Sequence, residues 1–125
     1  MKPKQLGRMQ LRIMQILWEK GRATAREITD ALNQTETAAH STVQTLLRGL
    51  EDRQAVSHEA QGRTFVFFPR VKEENYRSSA ARDLVQRVFG GNVGDLVAHL
   101  LENEKVSPRE LSEIRRLIDR KDEEE

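Results

Sequence analysis

The chain has 125 residues, room for one domain of ordinary size or two small ones. It contains no cysteine, which excludes disulfides, thiolate metal sites and a cysteine nucleophile. Net charge is only +1, yet residues 1–70 carry eleven Lys and Arg against seven Asp and Glu, and residues 71–125 carry ten against thirteen. A basic front followed by an acidic rear suits a polyanion-binding domain joined to one that avoids polyanions.

Met1–Leu6 is a short basic lead-in with no signal peptide, and no apolar run approaches the ~18 residues of a membrane span. The expectation is a soluble, cytoplasmic protein without membrane insertion. Gly7–Lys20 reads as a helix, with Met9, Ile13, Ile16 and Leu17 at helical spacing. Gly7 with Gln10 is a weak capping box, and Trp18 is a packing residue or a domain contact. Gly21 ends this helix. Thr24 and Glu27 form a capping box for a short helix to Leu32, with Ile28, Ala31 and Leu32 facing in. Asn33–Ala39 is a polar connecting turn.

His40–Arg53 follows as the second helix of a helix-turn-helix. Val43, Leu46, Leu47 and Leu50 cluster on one side and Ser41, Gln44, Thr45 and Arg48 on the other. Hydroxyls, an amide and a guanidinium can bond base edges and phosphates in a major groove, and the only carboxylate on that face, Asp52, comes at its far end. A solvated face on an ordinary core helix, or a face docking another protein, has the same pattern. Val56–Glu59 and Thr64–Phe68 are strand-like, joined by the turn Ala60–Arg63 containing Gly62. A hairpin in this place is a wing, whose tip residue Arg63 can reach a phosphate or remain solvated.

After Pro69 the composition changes. Lys72–Phe89 reads as a long helix, with Tyr76, Ala80, Leu84 and Val88, then Val85 and Phe89, marking a stripe. Gly90-Gly91 breaks it, and Asn92 caps a helix through Leu101. Ser107-Pro108-Arg109-Glu110 starts another that runs to Arg120, with Ser as cap, Pro at the first position and Glu three residues on. These segments are too short to bury a core alone. Their stripes either pack on the front domain or meet a second copy, and a symmetric dimer is the reading adopted, since dimers read paired half-sites. The dimerisation residues are Tyr76, Leu84, Val88, Phe89, Leu96, Val97, Leu100, Leu111, Ile114, Leu117 and Ile118. The expected architecture is mainly α with a small β-hairpin. Residues 1–70 form a winged helix-turn-helix domain and residues 71–125 a C-terminal three-helix dimerisation domain.

Catalytic signatures are missing from the sequence. His40, His58 and His99 lie on separate elements, with no paired metal spacing, no phosphate-cradling Gly loop and no Ser/His/Asp motif. The expectation is a protein that is not an enzyme, with no cofactor and no metal.

Five segments together carry a family resemblance: IMQILWEKGRATAREI at Ile13–Ile28, STVQTLLRGLE at Ser41–Glu51, GRTFVFFP at Gly62–Pro69, VFGGNVGDLVAHLLE at Val88–Glu102 and SPRELSEIRRLI at Ser107–Ile118. In their order and spacing the chain resembles the penicillinase and methicillin-resistance repressors of bacteria, the BlaI/MecI family, from about Leu6 to Arg120. The resemblance implies a transcriptional repressor that sits on a palindromic operator as a homodimer. DNA contacts are then expected from Ser41, Thr42, Gln44, Thr45 and Arg48, with phosphates held by Arg63, by Thr24 at its helix start and by the Lys2–Arg12 segment including Arg12. In the penicillinase branch a membrane metalloprotease sensor cuts an Asn–Phe bond in the C-terminal domain. The matching positions here are His99 and Leu100, the implied point of regulatory cleavage. The copper-responsive branch uses a C-terminal cysteine motif, which this chain lacks. Two further departures stand out. Gln54 occupies the place after the recognition helix where family members usually carry Gly. Gly49 lies inside the helix, where they tend to carry a basic residue, at about 1 kcal/mol of helix propensity.

Overall fold

A computed structural model of the chain describes residues 6–124. These form helix α1 (Arg8–Lys20), strand β1 (Ala23–Thr24), helices α2 (Ala25–Leu32) and α3 (His40–Asp52), strands β2 (Val56–Gln61) and β3 (Thr64–Pro69), and helices α4 (Glu73–Val88), α5 (Val93–Asn103) and α6 (Pro108–Glu123). The chain divides into two compact units, the first ending at Ala81 and the second starting at Arg82. The boundary between these units falls within α4. Among the described residues no helix is long and apolar enough to cross a membrane.

The core of the first unit is built from the apolar stripes of α1, α2 and α3. Ile13, Met14, Leu17, Ile28, Leu32, Val43, Leu47 and Leu50 are all essentially inaccessible to solvent, and Val56 from β2 closes the layer. Each helix is ended by local chemistry. Gly7 has no side chain and contributes only half a capping box, its N–H donating to Gln10 Oε1 at 3.4 Å. Thr24 and Glu27 make both halves: Glu27 N donates to Thr24 Oγ1 at 3.1 Å and Thr24 N to Glu27 Oε1 at 2.9 Å. Asn33 then ties the turn closed, donating to Thr29 O and Ala38 O and accepting from Ala38 N. The start of α3 is thereby held close to α2.

At the end of α3, Ala55 N donates to Leu50 O and Gln54 N to Glu51 O, both at 2.9 Å, with Gln54 at φ 64°. This is a Schellman cap with glutamine in the left-handed position that glycine occupies most cheaply. Gly49 has a packing reason as well as a propensity cost. A Cβ there would lie 3.1 Å from the Gln10 amide of α1.

The sheet is antiparallel, in the order β1-β3-β2. β2 and β3 pair through Gln61↔Thr64, so the wing turn is the two residues Gly62-Arg63 and not the four-residue turn read from sequence. Gly62 has φ 65°, as a two-residue hairpin turn demands at its first central position. β1 was not foreseen. Ala23 and Thr24 pair with Phe67 and Val66, so the wing is hydrogen-bonded to the residue that caps α2.

Tyr76 differs from expectation. It is 9% exposed in the first unit, its ring centroid 5.8 Å from that of Trp18, and its hydroxyl accepts from Leu6 N. Trp18 Nε1 also donates to Val71 O at 2.8 Å. A partly buried indole N–H and a nearly buried phenol both favour polar partners, and meeting that need ties the start of α4 to α1. Tyr76 therefore leaves the set of dimerisation residues.

In the second unit Asn92 caps α5, accepting from Asp95 N at 3.0 Å. Ser107 caps α6, accepting from Glu110 N at 3.1 Å, with Pro108 opening the helix. No residue of α5 or α6 is buried. Val88, Val93, Leu117 and Ile118 are more than half exposed.

Candidate nucleic-acid interface

The amphipathic character of α3 decides what it presents. With Val43, Leu47 and Leu50 buried, Ser41, Thr42, Gln44, Thr45 and Arg48 are all exposed. The Thr45 hydroxyl donates back to Ser41 O at 3.1 Å, which leaves its lone pairs and methyl outward. This is a short polar ridge with one cation and no carboxylate until its last turn.

Beside the ridge lies an open groove of about 470 Å³ between the start of α2, the inner side of α3 and the wing. Its walls include Thr24 and Arg26 from α2's start, His40, Gln44, Arg48 and Glu51 from α3, and His58, Arg63 and Phe65 from the hairpin. Among the described residues none of Arg26, Arg48 and Arg63 has an ion-pair partner. Three uncompensated guanidinium groups around one groove make a site for a polyanion backbone. The groove's one carboxylate is engaged: His58 Nδ1 donates to Glu51 Oε1, and the His58 ring stacks on Phe65 at 4.3 Å. The pair links α3 to the wing.

Of the expected contact residues, Thr24, Gln44, Arg48 and Arg63 are brought together at the groove, while Ser41, Thr42 and Thr45 lie along the exposed ridge. The Thr24 hydroxyl is engaged in its capping box. That bonding holds the Glu27 carboxyl below the usual carboxylate range, through the Thr24 backbone N–H first and its hydroxyl second, with Lys20 adding attraction. Arg12 is placed elsewhere. It is half-buried and donates to Gln15 Oε1 at 2.8 Å and to Thr35 Oγ1 at 3.1 Å, tying α1 to the α2–α3 turn. Its fork is occupied by neutral acceptors, so it does not join the groove. The Lys2–Gln5 part of the expected phosphate-binding segment lies outside the described residues.

Arg26, His40, His58 and Phe65 were not among the contact residues expected from sequence. Arg26 had a readable signal, since it stands in the first turn of a capped helix where side chains flank an anion site. The others depend on contacts between elements. His99 and Leu100 are exposed within α5, with Asn103 Nδ2 donating to His99 O at 2.8 Å and the His99 ring edge-on to Phe89. Among the described residues no group of three or more His, Cys, Asp or Glu could hold a metal ion.

A family model described as penicillinase repressor matches residues 6–120. A penicillinase repressor of Bacillus licheniformis is 27% identical over 115 residues, spanning 92% of this chain and 90% of its own length. The methicillin resistance regulatory protein MecI of Staphylococcus aureus is 23% identical over 109 residues, 87% of this chain and 89% of its own. Among solved structures, the DNA-binding domain of the repressor BlaI is similar with a TM-score of 0.54 and 29% identity, covering 61% of this chain and 92% of that one. Monomeric Bacillus licheniformis BlaI in complex with the blaP half-operator is similar with a TM-score of 0.52 and 31% identity, covering 60% and 92%.

Proposed function

Because the chain belongs to the penicillinase repressor family and is a DNA-binding transcriptional repressor rather than an enzyme, we propose that it acts as a cytoplasmic homodimer on an inverted-repeat operator. Each protomer lays α3 in a major groove. Thr42, Gln44, Thr45 and Arg48 meet base edges, with Ser41 beside them. Arg63 at the wing tip and the start of α2 at Thr24 hold the flanking phosphates. The arginines without an ion-pair partner among the described residues, beside a polar ridge with no carboxylate before its last turn, carry the DNA half of this reading. The dimer half is supported by the apolar stripe of the second unit, in which Leu84, Val88, Leu100, Leu117 and Ile118 are exposed and Phe89, Leu96, Val97, Leu111 and Ile114 only partly covered. A free-standing unit of this size would hold such residues in a core.

Release belongs to the same proposal. Cutting between His99 and Leu100, as by a membrane sensor protease, would divide α5 and detach α6 with half of the stripe. A weakened dimer loses the joint engagement of two half-sites.

Selection of duplexes from a random pool by the purified chain, with complex mass read by light scattering, tests the reading. An inverted repeat occupied by two protomers is the expected result. Leu117→Glu should yield folded monomers with weaker operator binding, and a chain ending at His99 should do the same. No enrichment together with a monomeric mass would refute both halves.

A further inference from the structure

Thr29 is the one buried polar side chain of the core among the described residues, at 5% exposure. Its hydroxyl lies 2.8 Å from Ala25 O and 2.9 Å from His40 Nδ1. Two oxygens at that separation need a proton between them, and a carbonyl brings none. The single hydroxyl proton therefore goes to Ala25. Toward His40 the hydroxyl offers only lone pairs, so Nδ1 must supply the hydrogen that joins them. The ring is held in one tautomer and one orientation, and Nε2 becomes its free atom. His40 is the first residue of α3 and lines the arginine-walled groove.

We propose that His40 is a further DNA contact, its Nε2–H donating as an imidazolium to a backbone phosphate lying in that groove, with Thr29 as the positioning residue. This rests on the DNA reading above. With Nδ1–H fixed on Thr29, a neutral ring presents a bare Nε2 that repels a phosphate oxygen, so the contact forms with uptake of a proton. An adjacent phosphate favours the charged ring. The charged and titratable groups lining the same groove are Arg26 on α2, Arg48 and Glu51 on α3, His58 on β2 and Arg63 in the wing turn; β3 contributes only Thr64, Phe65 and Phe67. Arginine keeps its charge at every relevant pH, and Glu51 is turned to His58. Histidine is the residue type that changes charge between about pH 5 and 8, so the two groove histidines must be separated by mutation.

The experiment measures affinity of the full chain at constant ionic strength between about pH 5.5 and 8. The probes are the selected inverted repeat and an unrelated duplex of equal length. The parent should bind both more tightly as pH falls, approaching tenfold per pH unit for each contacting ring, about the limit for uptake of one proton. His40→Gln should flatten that dependence on both duplexes, whereas His58→Gln should retain it. A pH-independent parent, a slope that survives in His40→Gln, or a slope lost in His58→Gln overturns the assignment. Flattening on the selected repeat alone also overturns it, since that is the signature of a base contact. If His40→Gln does not fold, nitrogen chemical shifts of the parent's ring decide: addition of duplex must convert His40 to the imidazolium, and a ring that stays neutral refutes the contact. A parent that binds neither duplex at any pH refutes the DNA reading itself.

Discussion

Leu47 and Arg48 are adjacent on α3, one buried and one exposed, which makes them a sharp test of the interface. Leu47 is 1% exposed, whereas Arg48 is exposed and has no ion-pair partner among the described residues. Arg48→Ala therefore removes little from the folded protomer, and its melting temperature should stay near that of the parent. A bidentate arginine–guanine contact contributes about 1–3 kcal/mol, so operator affinity should fall about 5- to 150-fold for each half-site engaged. Leu47→Ala leaves a cavity beneath the same helix and should cost about 2–5 kcal/mol of stability, a drop in Tm on the order of 10 °C or more. Thermal melts and operator titrations on both variants separate the effects. Parent-like operator affinity in Arg48→Ala, with an unchanged melt, would refute the placement of this ridge against base edges.

Arg63→Ala should weaken specific and unrelated DNA alike and reduce the salt slope by about one unit per protomer, because a phosphate contact releases counterions; an unchanged slope leaves Arg63 a solvated turn residue. Gln54→Gly should stabilise the first unit by about 0.5–1 kcal/mol, raising Tm by a few degrees, since it relieves a left-handed backbone at φ 64°. Gln54→Ala keeps the strain and should bring no such gain, so equal melts for the two variants would refute the cap assignment. The Glu27 carboxyl is held below its ordinary range by its capping bonds. The stabilisation it confers is therefore complete above the unfolded carboxylate range and is lost as pH falls through the lower folded value. Glu27→Gln should remove that component from the acid dependence of Tm, and identical acid profiles would exclude it.

The helices and their starts were legible because the interactions that make them are local. Thr24 with Glu27, Asn92 with Asp95, and Ser107 with Pro108 and Glu110 act within one turn. The spacing of Val43, Leu47 and Leu50 settles which side of α3 is buried, and hence which side carries Gln44 and Arg48. The site was therefore legible as a ridge. As a groove it was not, because its walls come from segments far apart in the chain. No local pattern marks Ala23–Thr24 as a strand; it becomes one by pairing with Phe67 and Val66 across the fold. That pairing joins the wing to the cap of α2, and the Glu51–His58 bond joins it to α3.

The same distinction explains the corrections. The periodicity of α4 assigns Tyr76 to a dimerisation stripe, but its ring and hydroxyl find partners in the first unit, at Trp18 and Leu6. Arg12 carries the charge expected of a phosphate contact, yet Thr35 and Gln15 hold it away from the groove. By itself the sequence determined the helices and the buried faces of α1, α2 and α3, since these follow from periods and caps a few residues long, and five segments carried the family resemblance. Only the tertiary structure decided which side chains share the groove and which ring nitrogen of His40 meets Thr29, because those depend on contacts between elements that chain order does not bring together.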